Sequence, residues 1–183
     1  MNITKEKQKS AYLALKDTFG YTSPMQGTRV AKVIVSTGVG KKRDKKVIDL
    51  IEDRLTKIVG QKPSRRAARM SIATFKLREG DTVGLAATLR GARMYDFLDK
   101  LIHIAIPRTR DFRGLPATAI DEMGNLTIGI KEHTIFPETS DEDIKDVFGL
   151  AVTVVTTAKT KAEAEMFFRH LGVPLRVDAD AKR

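Results

Sequence analysis

The sequence predicts an α+β fold, a two-layer sandwich whose mainly antiparallel sheet carries helices on one face and leaves the other face open. Strands that follow one another are joined by short turns, helices lie between these groups of strands, and each helix has one apolar stripe. The 183 residues contain no internal repeat and no linker-like tract. We therefore expect a single domain over residues 1–176 and a flexible C-terminal tail over 177–183.

The first elements are a helix, a strand and a second helix. A glycine follows the apolar stripe of each helix, and the β-branched run from Val30 to Val35 predicts a buried strand between them. We expect residues 36–40 to form a flexible turn and Asp44 to cap the second helix. The stripes and their glycine stops are Tyr12, Leu15, Phe19 and Gly20, then Val47, Ile48, Ile51, Leu55, Ile58, Val59 and Gly60.

The middle of the chain predicts a basic loop, a strand and a third helix. Residues 61–80 carry six basic residues and one acidic residue, which indicates a short strand followed by a long exposed loop. From Thr82 to Arg90, larger apolar residues alternate with small or polar ones, as in a half-buried strand. The third helix is expected over about 92–106, and Pro107 ends it.

The last part of the chain predicts two strands around a Gly124–Asn125 turn, a further strand over Leu150–Thr157, and a final helix. An acidic loop over 137–146 precedes that further strand. Thr160 and Glu163 have the spacing of a capping box at the start of the helix, which a glycine and a proline close.

Composition excludes several classes of protein. There is no cysteine, so disulfides, thiolate metal sites and cysteine nucleophiles are excluded, and the three histidines are too scattered for a metal site. The start lacks the apolar core of a secretory signal, and no apolar run approaches the roughly 20 residues of a membrane span. We expect a cytoplasmic protein with no cofactor, no metal and no membrane partner.

Positive charge is concentrated in the first half of the chain. Residues 1–90 carry 20 basic and 8 acidic side chains, or +12, whereas residues 91–183 carry 13 basic and 15 acidic, or −2. This asymmetry favours a polyanionic partner, nucleic acid before a membrane surface. A solvated basic surface would give the same numbers.

The segment from Ser36 to Lys42 is similar to a phosphate-binding loop. Val35 and Lys42 stand where the Walker pattern requires a glycine and a hydroxyl residue, so the nucleotide interpretation fails at both ends. The glycine-rich turn with its following cations can still hold a phosphate. Alone, it is better explained as a plain turn.

The Thr82–Arg90 strand has features that suit contact with a folded RNA. Its non-core side has small residues, with Thr88 able to bond a ribose 2′-hydroxyl and Arg90 able to fork onto a phosphate. A strand of small residues beneath a covering helix is an equally good explanation.

The 61–80 loop mixes cations with apolar residues, a combination that can contact the phosphates and sugars of RNA. The alternative is a strand hairpin whose apolar residues belong to the core. Aromatic residues are only 6%, which argues against a reader of single strands.

Eight ordered blocks of this sequence resemble the bacterial large-subunit ribosomal protein family "L five", the universal binders of 5S ribosomal RNA. The resemblance runs from the first helix to Arg176. The blocks are Met25-Gln26, Gly38-Val39-Gly40, Gly60-Gln61-Lys62-Pro63, Phe75-Lys76-Leu77-Arg78, Thr88-Leu89-Arg90-Gly91, Pro107-Arg108-Thr109-Arg110-Asp111-Phe112-Arg113-Gly114-Leu115, Ile135-Phe136-Pro137-Glu138 and Thr156-Thr157-Ala158-Lys159.

The resemblance implies a non-catalytic component of the central protuberance of the ribosome. Its partners would be 5S and 23S ribosomal RNA, neighbouring large-subunit proteins, peptidyl-site transfer RNA, and small-subunit protein "S thirteen" in an intersubunit bridge. The ribosomal RNA contacts implied are Ser36, Gly38, Val39, Gly40, Lys41, Gln61, Thr88 and Arg90. The transfer RNA contacts implied, on a loop over 69–80, are Arg69, Ser71, Thr74, Phe75, Lys76 and Arg78.

This chain departs from the family pattern at three positions. Ser36 and Thr37 stand where the family usually has Asn and Met, and Met70 stands where it usually has Lys. We therefore expect one contact to ribosomal RNA and one to transfer RNA to be weakened or remade. The residues alone also leave open a phosphate-binding enzyme and a basic protein-interaction module.

Overall fold

A computed structural model of the chain describes residues 2–40, 44–110, 112–139 and 147–176. In these ranges there are four α-helices and five strands. The helices are α1 (Ile3–Phe19), α2 (Lys45–Val59), α3 (Ala92–Lys100) and α4 (Lys161–Leu171). The strands are β1 (Val30–Gly38), β2 (Ser64–Ala67), β3 (Thr82–Leu89), β4 (Leu126–Ile130) and β5 (Leu150–Thr156).

The strands form one open antiparallel sheet in the order β2-β3-β1-β5-β4. Residues along β3 and β5 alternate between buried and partly exposed, so each strand has a core face and an accessible face. The buried positions are Leu85, Ala87 and Leu89 on β3, and Leu150, Val152 and Val154 on β5. The predicted α+β class with an open sheet is confirmed.

The chain divides into two units. The first is built from residues 1–33, 89–128 and 153 onward, and it holds α1, α3 and α4. Its buried side chains include Phe167 and Phe168 of α4. They also include a carboxylate, that of Glu163, which is only 7% exposed. That carboxylate accepts hydrogen bonds from the hydroxyls of Tyr21 and Thr28, and from the Lys159 N–H at 2.9 Å.

The second unit is built from residues 34–88 and 129–152, and it holds α2 and β2. The apolar stripe of α2 is buried, with Ile51 and Leu55 fully enclosed. Burying such a side chain contributes about 1.5–3 kcal/mol relative to leaving it exposed.

The predicted helix ends are confirmed at α1, α2 and α4. Gly20 and Gly60 end α1 and α2 in the left-handed conformation, with φ of 64° and 70°. The Asp44 carboxylate accepts the Lys46 N–H at 3.0 Å at the start of α2. The Thr160 hydroxyl accepts the Glu163 N–H at 3.3 Å at the start of α4.

The third helix changes its hydrogen bonding before it ends. α3 stops at Lys100, and the chain continues as a π-helical segment over Leu101–Ala105. The Ile106 N–H donates to the Leu101 carbonyl at 2.9 Å, a bond between residues five apart. The helical stretch therefore has the predicted length but not uniform geometry.

The prediction of a flexible turn over residues 36–40 is wrong at its start. Ser36, Thr37 and Gly38 belong to β1, which lies between β3 and β5 in the sheet. The Thr37 side chain is buried there, and its hydroxyl donates to the Gly149 carbonyl at 2.7 Å. The Val39 N–H then donates to the Val83 carbonyl at 2.9 Å and extends the ladder.

Only the second of the two strands predicted around Gly124–Asn125 forms. The first is a 3₁₀ turn over Ala117–Ala119 and a single bridge between Ile120 and Leu126. The Asp121 carboxylate accepts the Asn125 N–H at 2.7 Å, which closes a tight turn too soon for a longer pairing.

Two predictions concern residues outside the described ranges. Residues 140–146 of the acidic loop lie outside them, and the described part begins that loop as a 3₁₀ turn over Pro137–Thr139. The tail over 177–183 also lies outside them. The division of the chain into one domain over 1–176 and a flexible tail stays a prediction.

Candidate nucleic-acid interface

The accessible face of the sheet in the second unit has small and hydroxyl side chains. Ser36 and Gly38 lie on β1, and Gly84, Ala86 and Thr88 lie on β3, the neighbouring strand. These positions alternate with the buried Val35, Leu85 and Ala87. A flat surface of this kind lets a large partner approach the backbone closely.

Two glycines of this face have no role that the fold explains. Nothing lies within 4 Å of the position a Cβ would take at Gly38 or at Gly129 of β4, and neither has a positive φ. Gly84 differs, because a Cβ there would lie 3.1 Å from the Thr37 carbonyl oxygen. The chain's own packing thus requires glycine at Gly84 but not at Gly38 or Gly129.

Thr88 and Arg90 are the sequence-predicted residues whose accessibility matters most. Thr88 is partly exposed on the open side of β3, and Arg90 is exposed directly after the strand. Neither is enclosed beneath a helix. A hydroxyl and a guanidinium are therefore available to a ligand at this end of β3.

The other residues predicted to contact ribosomal RNA differ in how exposed they are. Gly40 and Gln61 are partly exposed, whereas the Val39 side chain is only 1% exposed and its N–H is bonded to Val83. Val39 is therefore buried, and its N–H is already used within the protein. Lys41 lies outside the described residues.

Two further positions on the same face are not among the contacts predicted from the sequence. Gly129 and Ala151 line a shallow concavity together with Ser36 and Gly38. The alternation within β4 and β5 places both residues on the accessible side of their strands. That alternation was the available signal, but it does not show which strands are neighbours.

The predicted loop is a hairpin-like excursion between β2 and β3. Ile72 and Leu77 exchange backbone hydrogen bonds of 3.0 and 3.1 Å, and they enclose a 3₁₀ turn over Ala73–Phe75. The Ala68 N–H donates to the Asp81 carbonyl at 2.8 Å and closes its base. The loop is therefore ordered by its own backbone rather than by a core.

The loop exposes all six residues predicted to contact transfer RNA: Arg69, Ser71, Thr74, Phe75, Lys76 and Arg78. Phe75 is 64% exposed, and Met70, on the same loop, is 71% exposed. The Ser71 hydroxyl has a structural role, since it accepts the Glu79 N–H at 2.9 Å.

Lys76 stands at the tip of the loop in an unusual conformation. Among the described residues it is the one non-glycine with a positive φ, 50°. A side chain in this region costs about 1 kcal/mol, and such residues are enriched at functional sites.

A cleft of about 460 Å³ lies beside the loop, with Lys45, Lys76 and Arg78 among its lining residues. Arg65 lines it too but is bound within the protein. Its guanidinium donates to Glu52 at 2.7 Å and to Asp49 at 2.6 Å, and these hydrogen bonds raise the pKa of Arg65. The other three cations outnumber the one carboxylate in the lining, Asp81, so the cleft has a net positive charge.

The described part of the chain offers little for other chemistries. It contains no group of three or more potential metal ligands. None of its helices has the length and apolarity needed to cross a membrane.

An uncovered sheet face of small and hydroxyl residues, beside an ordered cationic loop, is typical of the class of protein that docks on a large polyanion. The family to which the chain belongs is shown by sequence similarity. Residues 23–78 match the family described as "Ribosomal protein L5", and residues 82–175 match the C-terminal model of the same family. The chain belongs to this ribosomal protein family.

Curated relatives agree over nearly the full chain. The "Large ribosomal subunit protein uL5" of Flavobacterium johnsoniae is 47% identical over 174 residues, 94% of this chain and 95% of the relative. The protein of the same name from Rubrobacter xylanophilus is 47% identical over 164 residues, 89% of this chain and 91% of the relative. The chain is thus a structural, non-enzymatic component of the large ribosomal subunit, and RNA binding and a role in translation follow from the family.

Proposed function

We propose that the open face of the sheet binds 5S ribosomal RNA in the central protuberance of the large subunit. The observation that carries this proposal is that Thr88 is accessible on a face of small residues, and that Arg90, two residues further along the chain, is exposed. Neighbouring Ser36 and Gly38 leave room for a sugar–phosphate backbone. The concentration of positive charge in residues 1–90 supports a polyanion as the ligand.

In this proposal each group has a separate role. The Thr88 hydroxyl donates to or accepts from a ribose 2′-hydroxyl, which DNA lacks. The Arg90 guanidinium donates two hydrogen bonds to a phosphate. The small residues of β1 and β3 contribute shape rather than charge, so the face selects a folded RNA surface.

The loop over residues 69–80 is proposed to contact peptidyl-site transfer RNA. Its exposed Arg69, Lys76 and Arg78 can hold phosphates, and the exposed ring of Phe75 can pack on a sugar or a base. Further proposed partners are 23S ribosomal RNA, neighbouring large-subunit proteins, and small-subunit protein "S thirteen" across an intersubunit bridge.

Replacing Arg90 with alanine is expected to weaken binding of 5S ribosomal RNA by ~1–3 kcal/mol, the scale of a lost charge-assisted hydrogen bond. A filter-binding titration with the full chain measures this. Lys9→Ala is the matched control, because Lys9 is an exposed cation on α1. Equal affinities for Arg90→Ala and the control would remove Arg90 from the interface.

Neutralising the loop is expected to separate the two RNA surfaces. The variant Arg69→Gln, Lys76→Asn, Arg78→Gln should keep 5S ribosomal RNA affinity within about threefold but reduce transfer RNA occupancy of the peptidyl site roughly tenfold or more. Asparagine is chosen at position 76 because it tolerates a positive φ.

The measurement uses ribosomes reconstituted with the variant and labelled transfer RNA. A variant carrying only Lys76→Asn tests the tip alone. Parallel loss of 5S binding and transfer RNA binding would contradict the assignment of two surfaces.

A further inference from the structure

The cleft of about 460 Å³ in the second unit brings together three cations, of which the proposed function uses only two. Lys76 and Arg78 line it from the loop over residues 69–80, and Lys45 lines it from the first turn of α2. None of the three forms an ion pair with the residues that the structure describes. Their charges are therefore available to a ligand in the cleft.

The stability of α2 does not explain why Lys45 is a cation. A helix dipole disfavours positive charge in the first turn of the helix. The first turn of α2 nevertheless holds Lys45 and Lys46 and contains no acidic residue. An anion in the cleft would offset the charge of Lys45. Lys46 is exposed and does not line the cleft.

The backbone of the loop holds the walls of the cleft in place. Leu77 exchanges two backbone hydrogen bonds with Ile72, at 3.0 and 3.1 Å. The Asp81 carboxylate, the one acidic group in the lining, accepts the Arg78 N–H at 2.8 Å. The carboxylate is thus engaged by the main chain, and the cations are carried by an ordered backbone. Such preorganisation lowers the entropy that binding costs.

We infer that this cleft binds a small polyphosphate, an anion in which two or more phosphate groups are linked. A volume of about 460 Å³ is within the range of clefts that hold small molecules. Each phosphate group accepts charge-assisted hydrogen bonds, so three cations at separate positions match a chain of phosphates better than a single one.

Free polyphosphate and a nucleoside triphosphate share this chemistry. The nucleoside would add contact with Ile48 and Leu77, the apolar side chains of the lining. The inference does not rest on transfer RNA binding by the loop. A bound polyphosphate would nevertheless occupy Lys76 and Arg78, and it would therefore compete with any RNA that uses them.

Calorimetric titration of the full chain with tripolyphosphate at about 150 mM salt tests the inference. We expect Lys45→Gln to weaken binding about tenfold, the scale of a lost charge-assisted hydrogen bond. Lys46→Gln is the matched control, because it removes the same charge from the same turn of α2, and it should weaken binding less than about threefold. Equal losses in the two variants would overturn the inference, as would the absence of saturable binding by the unaltered chain up to about 1 mM.

Other ligands identify the source of the phosphates and limit the class. Tighter binding of either ATP or tripolyphosphate identifies the nucleotide or the free chain, and equal binding shows that the phosphates alone are recognised. Inorganic monophosphate that binds as tightly as tripolyphosphate would contradict the inference. An RNA tetranucleotide that displaces tripolyphosphate at lower concentration would also contradict it, because the cleft would then be part of an RNA surface.

A second measurement uses the unaltered chain and does not depend on a variant that folds. Tripolyphosphate should slow acetylation of Lys45 and Lys76 relative to Lys46, as read by mass spectrometry. Unchanged relative rates would equally overturn the inference. Arg69 does not line the cleft, so Arg69→Gln should keep its affinity for tripolyphosphate. If Arg69→Gln leaves transfer RNA occupancy unchanged while Lys45→Gln loses tripolyphosphate, the transfer RNA proposal fails and this one stands.

Discussion

Replacing Gly38 with leucine is expected to weaken binding of 5S ribosomal RNA by about a hundredfold, the upper end of the 1–3 kcal/mol that overpacking costs. Gly38 is exposed at the end of β1, and nothing in the chain lies within 4 Å of its Cβ position. Leucine therefore fits the isolated protein. It would stand out from the face that the RNA is proposed to cover.

The Gly38→Leu substitution is expected to weaken RNA binding without lowering the stability of the protein. Glycine gives the unfolded chain more freedom than leucine does, so the variant should melt at the same temperature or slightly higher. Ala14→Leu is the control, because it adds similar bulk at an exposed position of α1. Calorimetric melting and an RNA titration on both variants decide the matter. Undiminished RNA binding by Gly38→Leu would place the ligand elsewhere.

Local signals explain which elements could be predicted from the sequence. α2 begins at an aspartate that accepts a backbone N–H and ends at a left-handed glycine, and both signals lie within the helix's own sequence. The alternation from Thr82 onward likewise placed Leu85 and Leu89 in the core without knowledge of any partner strand. Such elements are determined by nearest neighbours along the chain.

The error at the end of β1 arose because residues distant in the sequence decide the structure there. The extension of β1 to Gly38 depends on pairing with β3 and β5, which are distant in the sequence. The partner of the Thr37 hydroxyl, the Gly149 carbonyl, is 112 residues away. No short-range pattern around Ser36-Thr37-Gly38 contains that information. The missing first strand before Gly124 has a local cause, the turn closed by the Asp121 carboxylate and the Asn125 N–H. A strand there has a similar propensity to the turn, so the sequence pattern alone did not decide between them.

The residues of the candidate interface likewise differ in whether the sequence could predict them. The period of its own strand placed Thr88 on the side opposite the core residues, but it did not show whether a helix covers that side. Gly129 and Ala151 could not be joined to Ser36, because the order of β1, β5 and β4 is a tertiary property. The absence of any packing reason for Gly38 is visible only once its surroundings are known.

Replacing Glu163 with alanine is expected to destabilise the protein by roughly 3–5 kcal/mol, because it leaves buried donors without an acceptor. The carboxylate accepts from the Tyr21 and Thr28 hydroxyls and from the Lys159 N–H. Glu165→Ala is the matched control two residues along α4. Its carboxylate bonds Arg169 at the surface, so we expect a loss of less than about 1 kcal/mol in the free energy of unfolding.

The same carboxylate should make stability depend on pH in acid. Burial raises the pKa of Glu163, but hydrogen bonds from Thr28, Tyr21 and the N–H groups of Lys159 and Thr160 outweigh burial, so the pKa lies below its usual 4.5. Because the folded state favours the charged form, the contribution is complete above the unfolded pKa and is lost as pH falls through the folded one. The difference in unfolding free energy between the unaltered protein and Glu163→Gln should therefore shrink below about pH 4.5, as followed by urea titrations at several pH values. A difference that stays constant from neutral pH to pH 3 would show that the charge of Glu163 contributes nothing to the fold.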